Sequence, residues 1–259
     1  MQKQYPLSKE EMSLYLACTL NPNRKQAYLV GWSVELPKNT DRSRIENAVA
    51  KLFARHRILS ARITRDSQGN LCKYDSEESP VIEYETSQTD FPPIENYYDN
   101  INLDGEKLYR IVSVDTPNSV TLIMIVHHII LDGNSRQVMG RDFEAAFRGD
   151  ELGEPDLLPY TFAEKEQEQE KSEAFAEDKE YYKNLLSDIE CQSLEKDIHE
   201  KTESFDHCFY DFDRIDASNV KNKKGSTHVR TSTIFLGSVE QAFALFSGTE
   251  QFVVASAMS

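Results

Sequence analysis

The sequence predicts an α/β fold, and two observations carry that expectation. Stretches with strand periodicity interleave with amphipathic helical stretches along the first half of the chain. The most apolar run, residues 120–126 (VTLIMIV), leads directly into HHIILDG at 127–133, which reads as a buried strand turning into a helix. Polar groups at the end of a buried strand cost free energy unless they are paired or used, so this junction is the candidate site.

The elements follow in order. Residues 8–20 read as a helix with Ser8 as N-cap and Glu11 three residues on, a capping box. Residues 27–36 alternate, with Tyr28, Val30, Trp32, Val34 and Leu36 on one face of a strand. Residues 42–56 form an amphipathic helix burying Ile45, Val49, Leu52 and Phe53. A strand is expected over 58–65, with Leu59, Ala61 and Ile63 on one face and Ser60 and Arg62 on the other. Asp66–Asn70 is a turn. Short strands are expected at 71–74 and 81–84, then a hairpin of 107–114 with 120–126. The next helix, 135–147, is expected to be capped by Asn134 or Ser135. Residues 163–180 read as one exposed, highly charged helix continuing to 186. Beyond it, strands are expected at 206–213 and 252–257, and a helix at 231–247. The final FVVASAMS has no closing turn or cap, so the chain is expected to stop inside a second lobe. The expected division is 1–170 for a first lobe and 171–259 for connecting helices and the incomplete start of a second.

Bulk properties narrow the function classes. A chain of 259 residues makes one large domain or two small ones, at about 150 residues per domain. Hydrophobic residues make up 39% and mean hydropathy is −0.58. No apolar run approaches the roughly 18–20 residues of a spanning helix, so no membrane segment is expected. The opening MQKQYPLSKEE has no apolar region behind its lysine and is not read as a secretory signal. Cys18, Cys72, Cys191 and Cys208 are scattered with no CxxC pair, which argues against a disulfide framework and suits a reducing cytoplasm. Neither His199-Glu200 nor His207-Cys208 has the spacing of metal ligands, so no metal is expected. A net charge of −15 without a large basic cluster excludes a nucleic-acid partner, and Lys221–Lys224 reads as a solvated loop. No glycine-rich phosphate loop is present, so no bound nucleotide is expected.

Within 127–133 the side chains alternate faces, so His127 and His128 cannot do the same job. One turns inward and the other toward a cleft. Asp132 stands where the backbone reverses; it braces the turn through backbone N–H groups or pairs with an arginine. Gly133 permits close approach or positive φ. Histidine transfers protons near neutral pH, and one held at a strand end could deprotonate a nucleophile attacking a thioester or act on the tetrahedral intermediate. No Ser or Cys sits in a GxSxG context, which favours direct transfer between two bound substrates over an acyl-enzyme.

HHIILDG resembles the HHxxxDG motif of nonribosomal peptide synthetase condensation domains, and its HxxxDG part resembles the wider chloramphenicol acetyltransferase-like superfamily. Pro6-Leu7-Ser8 with Leu14-Tyr15 resembles that family's opening helix, and Arg55–Leu59 its RHxxLR segment. Leu108-Tyr109-Arg110, Tyr160-Thr161-Phe162-Ala163 and residues 248–257 resemble later stretches in the right order. The likeness spans nearly the whole chain but only about the first half of the domain. It implies an acyltransferase-like lobe, a mixed sheet flanked by helices in an α+β sandwich, plus the start of a second similar lobe. It implies that His128 promotes attack of an acceptor amine on a donor thioester. Both substrates would ride on phosphopantetheine of partner carrier domains, with no cofactor bound by the domain itself. His127, Asp132 and Gly133 would be supporting residues. The family's second arginine of RHxxLR falls here on Ser60, and Arg62 is the expected substitute partner for Asp132. Implied partners are carrier domains, an adenylation domain of the same assembly line and the missing C-terminal lobe. Alternatives within the resemblance are a CoA-dependent acyltransferase of the wax ester synthase type and an epimerization domain. An inactive half-domain acting as an interaction module stands beside them.

Overall fold

The first helix is fixed by the reciprocal cap its sequence predicts. The Ser8 hydroxyl accepts from the Glu11 N–H at 3.2 Å, and the Glu11 carboxylate accepts from the Ser8 N–H at 2.7 Å. The computed structural model describes residues 2–21, 27–98, 101–187 and 231–248. In chain order the elements are β1 (Gln4–Pro6), α1 (Lys9–Leu20), β2 (Leu29–Pro37), α2 (Arg42–Arg55), β3 (Ala61–Arg65), β4 (Leu71–Asp75) and β5 (Glu83–Thr86). There follow β6 (Tyr109–Asp115), β7 (Ser119–His127), α3 (Gly133–Arg148), α4 (Leu158–Gln169), α5 (Glu173–Leu185) and α6 (Thr231–Ser247).

The strands form two sheets. One has the order β2-β7-β6-β5, with β5 parallel to β6 and the other pairs antiparallel. The other has the order β1-β4-β3, antiparallel throughout. The fold is thus mixed α/β, as the sequence predicts. Strand β7 lies between β2 and β6, and every one of its residues is buried. That is the physical reason for its unbroken apolar run, because a strand covered on both faces has no polar side to alternate with. Helices α2 and α3 cover one face, packing Ile45, Val49, Leu52, Met139 and Phe143 against Leu122 and Met124. On the other face Ile123 and Ile125 meet Tyr97 and Val112. Each of these side chains, fully buried, contributes about 1.5–3 kcal/mol of transfer free energy.

Three local expectations need correction. Residues Arg57–Ser60 form a 3-10 turn rather than the start of a strand, and β3 begins at Ala61. The strand expected at 81–84 is instead Glu83–Thr86. The charged stretch 163–180 is not one helix: α4 ends at Gln169 and α5 starts at Glu173. The expected strands at 206–213 and 252–257 lie outside the described residues.

The chain divides into two compact units, Met1–Phe175 and Ala176–Ser259. Among the described residues all the strands belong to the first. The second contains α6, at the bounds the sequence predicts. Among the described residues, no helix is long and apolar enough to cross a membrane.

Candidate active site

The two histidines are tied to opposite neighbours of β7. The His127 N–H donates to the Leu108 carbonyl at 2.8 Å, on the β6 side. The His128 N–H donates to the Tyr28 carbonyl at 2.7 Å, on the β2 side. The chain then turns, with the Ile130 N–H donating back to the His127 carbonyl at 3.1 Å. Ile129 and Leu131 are buried in separate apolar clusters and anchor the turn from both sides.

The side chains diverge as alternation requires. His127 is 2% exposed, whereas His128 is exposed. The His127 Nδ1 accepts from the Ile129 N–H at 3.1 Å, and its Nε2 lies 3.5 Å from the Cys18 Sγ on α1. The Tyr28 ring stacks against it, centroids 6.4 Å apart. Burial, then the neighbouring His128 charge, pushes the His127 imidazole down to about 4, so it is neutral at physiological pH.

Asp132 is the N-cap of α3. Its Oδ1 accepts from the Ser135 N–H at 2.7 Å, and the Arg136 N–H donates to its carbonyl at 3.0 Å. This corrects the expected cap, Asn134 or Ser135; the helix starts at Gly133. Hydrogen bonds from the Ser135 hydroxyl and backbone hold the Asp132 carboxyl below the usual carboxylate range, aided by His128. Gly133 is not among the positive-φ residues, and among the described residues a Cβ there would meet nothing within 4 Å. The glycine leaves open space beside the exposed His128 turn rather than satisfying a strained backbone.

Arg62 does not join this constellation. It is buried, and its guanidinium donates to Glu78 Oε2 at 2.8 Å, to the Ala61 carbonyl at 3.0 Å and to the Ser60 carbonyl at 3.3 Å. It lines a cavity of about 580 Å³ with Glu78, Glu83, Lys107 and Arg110, and neither histidine is a wall of that cavity. The expected Arg62–Asp132 pairing is therefore replaced by Arg62–Glu78. The reason is local: with Ser60 inside a 3-10 turn, strand alternation cannot be carried back through it.

Sequence reasoning missed two neighbours of the motif and one close contact within the sheet that bears it. In the sequence Cys18 reads only as a scattered cysteine, and Tyr28 only as a strand residue. Tyr98 packs over Gly31, where a Cβ would sit 2.7 Å from its ring and hydroxyl and 2.8 Å from Ile125 Cδ1. A glycine inside a strand pattern is the available signal for such close approach.

The sequence and the fold are similar to those of known proteins. A family model described as "Condensation domain" matches residues 1–259. The chain belongs to the condensation-domain family. It is 27% identical over 163 residues, 60% of its length, to D-lysergyl-peptide-synthetase subunit 1 of Claviceps purpurea (strain 20.1), covering 4% of that protein. It is 25% identical over 177 residues, 62% of its length, to surfactin synthase subunit 1 of Bacillus subtilis (strain 168), covering 5% of that protein. Against tyrocidine synthase 3 of Brevibacillus parabrevis it is 24% identical over 262 residues, 98% of its length and 4% of that protein. The chain thus spans a small fraction of the curated relatives it matches. Among solved structures, the starter condensation domain of rhizomide synthetase is similar at TM-score 0.59 and 17% identity, over 73% of this chain and 49% of that one. The first condensation domain of the calcium-dependent antibiotic synthetase is similar at TM-score 0.58 and 18% identity, over 74% of this chain and 51% of that one. This condensation-domain chain therefore shares its fold with about half of each solved domain.

Proposed function

We propose that this condensation-domain chain carries the histidine half of an amide-forming site. His128 is the catalytic residue, acting on a carrier-bound acceptor amine that attacks a carrier-bound donor thioester. The observation that supports this reading most is the contrast between the two imidazoles. His127 is sealed and neutral, while His128 is exposed on a turn pinned to both neighbouring strands. Only the second can meet a substrate.

The chemistry balances without an external reagent. The amine nitrogen bonds to the thioester carbonyl carbon, and the tetrahedral intermediate collapses with loss of the C–S bond. The imidazole of His128 takes a proton from nitrogen and returns it to the departing thiolate, giving amide and thiol. A positioned general base contributes about 10²–10⁴-fold. Asp132 holds the start of α3, and Gly133 leaves the approach open. The phosphopantetheine arms belong to carrier domains, and a second lobe completes the substrate channel. An adenylation domain of the same assembly line supplies the activated residues.

The test is His128→Ala in a polypeptide extended by a second lobe and supplied with loaded carrier domains. Product formation should fall about 10²-fold or more while carrier binding is retained. Unchanged product formation overturns the assignment. Turnover of free CoA thioesters without carriers would instead favour a CoA-dependent acyltransferase.

A further inference from the structure

The site residue that meets substrate is exposed, yet its geometry is set by a buried neighbour that no motif includes. We propose that Cys18 is a positioning residue for the histidine pair: its sulfur accepts the Nε2–H of His127 and so anchors the ring whose Nδ1 holds the turn presenting His128.

The tautomer follows from the hydrogen bonds. The Ile129 N–H points at the His127 Nδ1 across 3.1 Å, and an N–H donor requires a lone pair there. The single proton of a neutral imidazole is then on Nε2. That nitrogen faces the Cys18 Sγ at 3.5 Å, within reach of a sulfur acceptor. Cys18 and His127 are each 2% exposed, so neither touches substrate, and a nucleophilic role for this Cys–His pair is excluded. The burial that keeps His127 neutral also removes water as an alternative partner for Nε2–H. Without an acceptor on α1, the Nε2–H would be buried and unpaired, and the ring would tilt in search of another partner. That tilt would weaken the bond from the Ile129 N–H to Nδ1 and loosen the turn between His127 and Ile130.

Helix α1 is joined to this turn by nothing contiguous in sequence. Cys18 lies 109 residues before His127. The same ring is stacked on Tyr28, whose carbonyl receives the His128 N–H. One imidazole therefore ties α1, the start of β2 and the end of β7 to the residue proposed to be catalytic. The consequence for catalysis rests on the reading of His128 given above, but the tautomer can be measured without substrate.

The experiment is long-range ¹H–¹⁵N NMR of the ¹⁵N-labelled 259-residue chain at neutral pH, with hydrogen exchange at the Ile129 amide. The unsubstituted chain should show His127 protonated at Nε2 and bare at Nδ1. Cys18→Val removes the acceptor while filling the space; it should shift the Nε2–H resonance to that of an unpaired N–H and speed Ile129 exchange by about tenfold or more. Cys18→Ser, which restores an acceptor, should return both readings toward the unsubstituted values. An Nδ1–H tautomer in the unsubstituted chain overturns the proposal outright and needs no variant. It is equally overturned if Cys18→Val leaves the Nε2–H resonance and Ile129 exchange unchanged, or if Cys18→Ser behaves like Cys18→Val. In a two-lobed polypeptide, Cys18→Val should lower kcat with KM unchanged. A His128 variant with full activity would sink the catalytic reading while leaving the tautomer result standing.

Discussion

His56 Nε2 lies 2.6 Å from Asp142 Oδ2, joining the end of α2 to the middle of α3 through a buried ring. The bond clamps the two helices that cover β7, and α3 carries the capped turn at its other end. Asp142→Ala leaves the buried imidazole without its acceptor and should cost about 1–3 kcal/mol in urea unfolding. Asp142→Asn keeps an acceptor oxygen and should cost less than Asp142→Ala. Equal losses from both would show that the charge, not the hydrogen bond, matters.

The sealed His127 makes stability depend on pH in a definite window. Its folded-state value of about 4 lies below the ordinary 6.5. Between those values the unfolded chain binds the proton and the folded chain does not, so stability falls as the solution is acidified. Its contribution is intact above pH 6.5 and declines toward pH 4, a loss on the order of 3 kcal/mol. Urea midpoints taken across that range should show the decline, and the His127 ring resonances should stay unprotonated at pH 5.5. A ring that titrates near 6.5 contradicts the assignment.

Ser60 and Asp132 make a contrasting pair of substitutions. The Ser60 hydroxyl is buried with no hydrogen-bond partner. Ser60→Ala should be neutral or stabilising by about 0.5–1 kcal/mol, since it removes an unsatisfied polar group. Asp132→Ala should destabilise by about 1 kcal/mol through loss of the α3 cap, with Asp132→Asn retaining most of it. Thermal unfolding of the three variants ranks them directly; a destabilised Ser60→Ala would mean that the hydroxyl is bonded in solution.

Gly31 has no room for a methyl group against Tyr98 and Ile125. Gly31→Ala should cost about 1–3 kcal/mol by overpacking. Combining it with Tyr98→Ala should return part of that loss, and a double-mutant cycle in urea measures the coupling. Additive effects would place Tyr98 away from the strand.

The parts of this fold that were legible in the sequence are those where one periodicity dominates. The capping box at Ser8 and Glu11, the helix bearing Val49 and Leu52, and the apolar run of β7 each contain a complete local signal. The errors fall where two signals compete. Asp132-Gly133 reads as a turn because glycine gives no helical cue, yet Gly133 is the first helical residue and Asp132 its cap. Ser60 and Arg62 look like strand neighbours on one face, but the 3-10 turn shifts the phase and sends Arg62 to Glu78. The Cys18–His127 contact was illegible because no local pattern marks a pair so far apart in sequence.

The divergent backbone bonds of the histidine pair also decide how this turn fluctuates. A turn at a strand end ordinarily frays by itself at small free-energy cost. Here one amide is held by the β6 side and the next by the β2 side. The turn cannot open by peeling from a single neighbour; both ladders must part. Its opening is therefore a sub-global event rather than a local one. The residue proposed to touch substrate is consequently solvent-exposed in its side chain while its backbone shares the slow motions of the buried sheet.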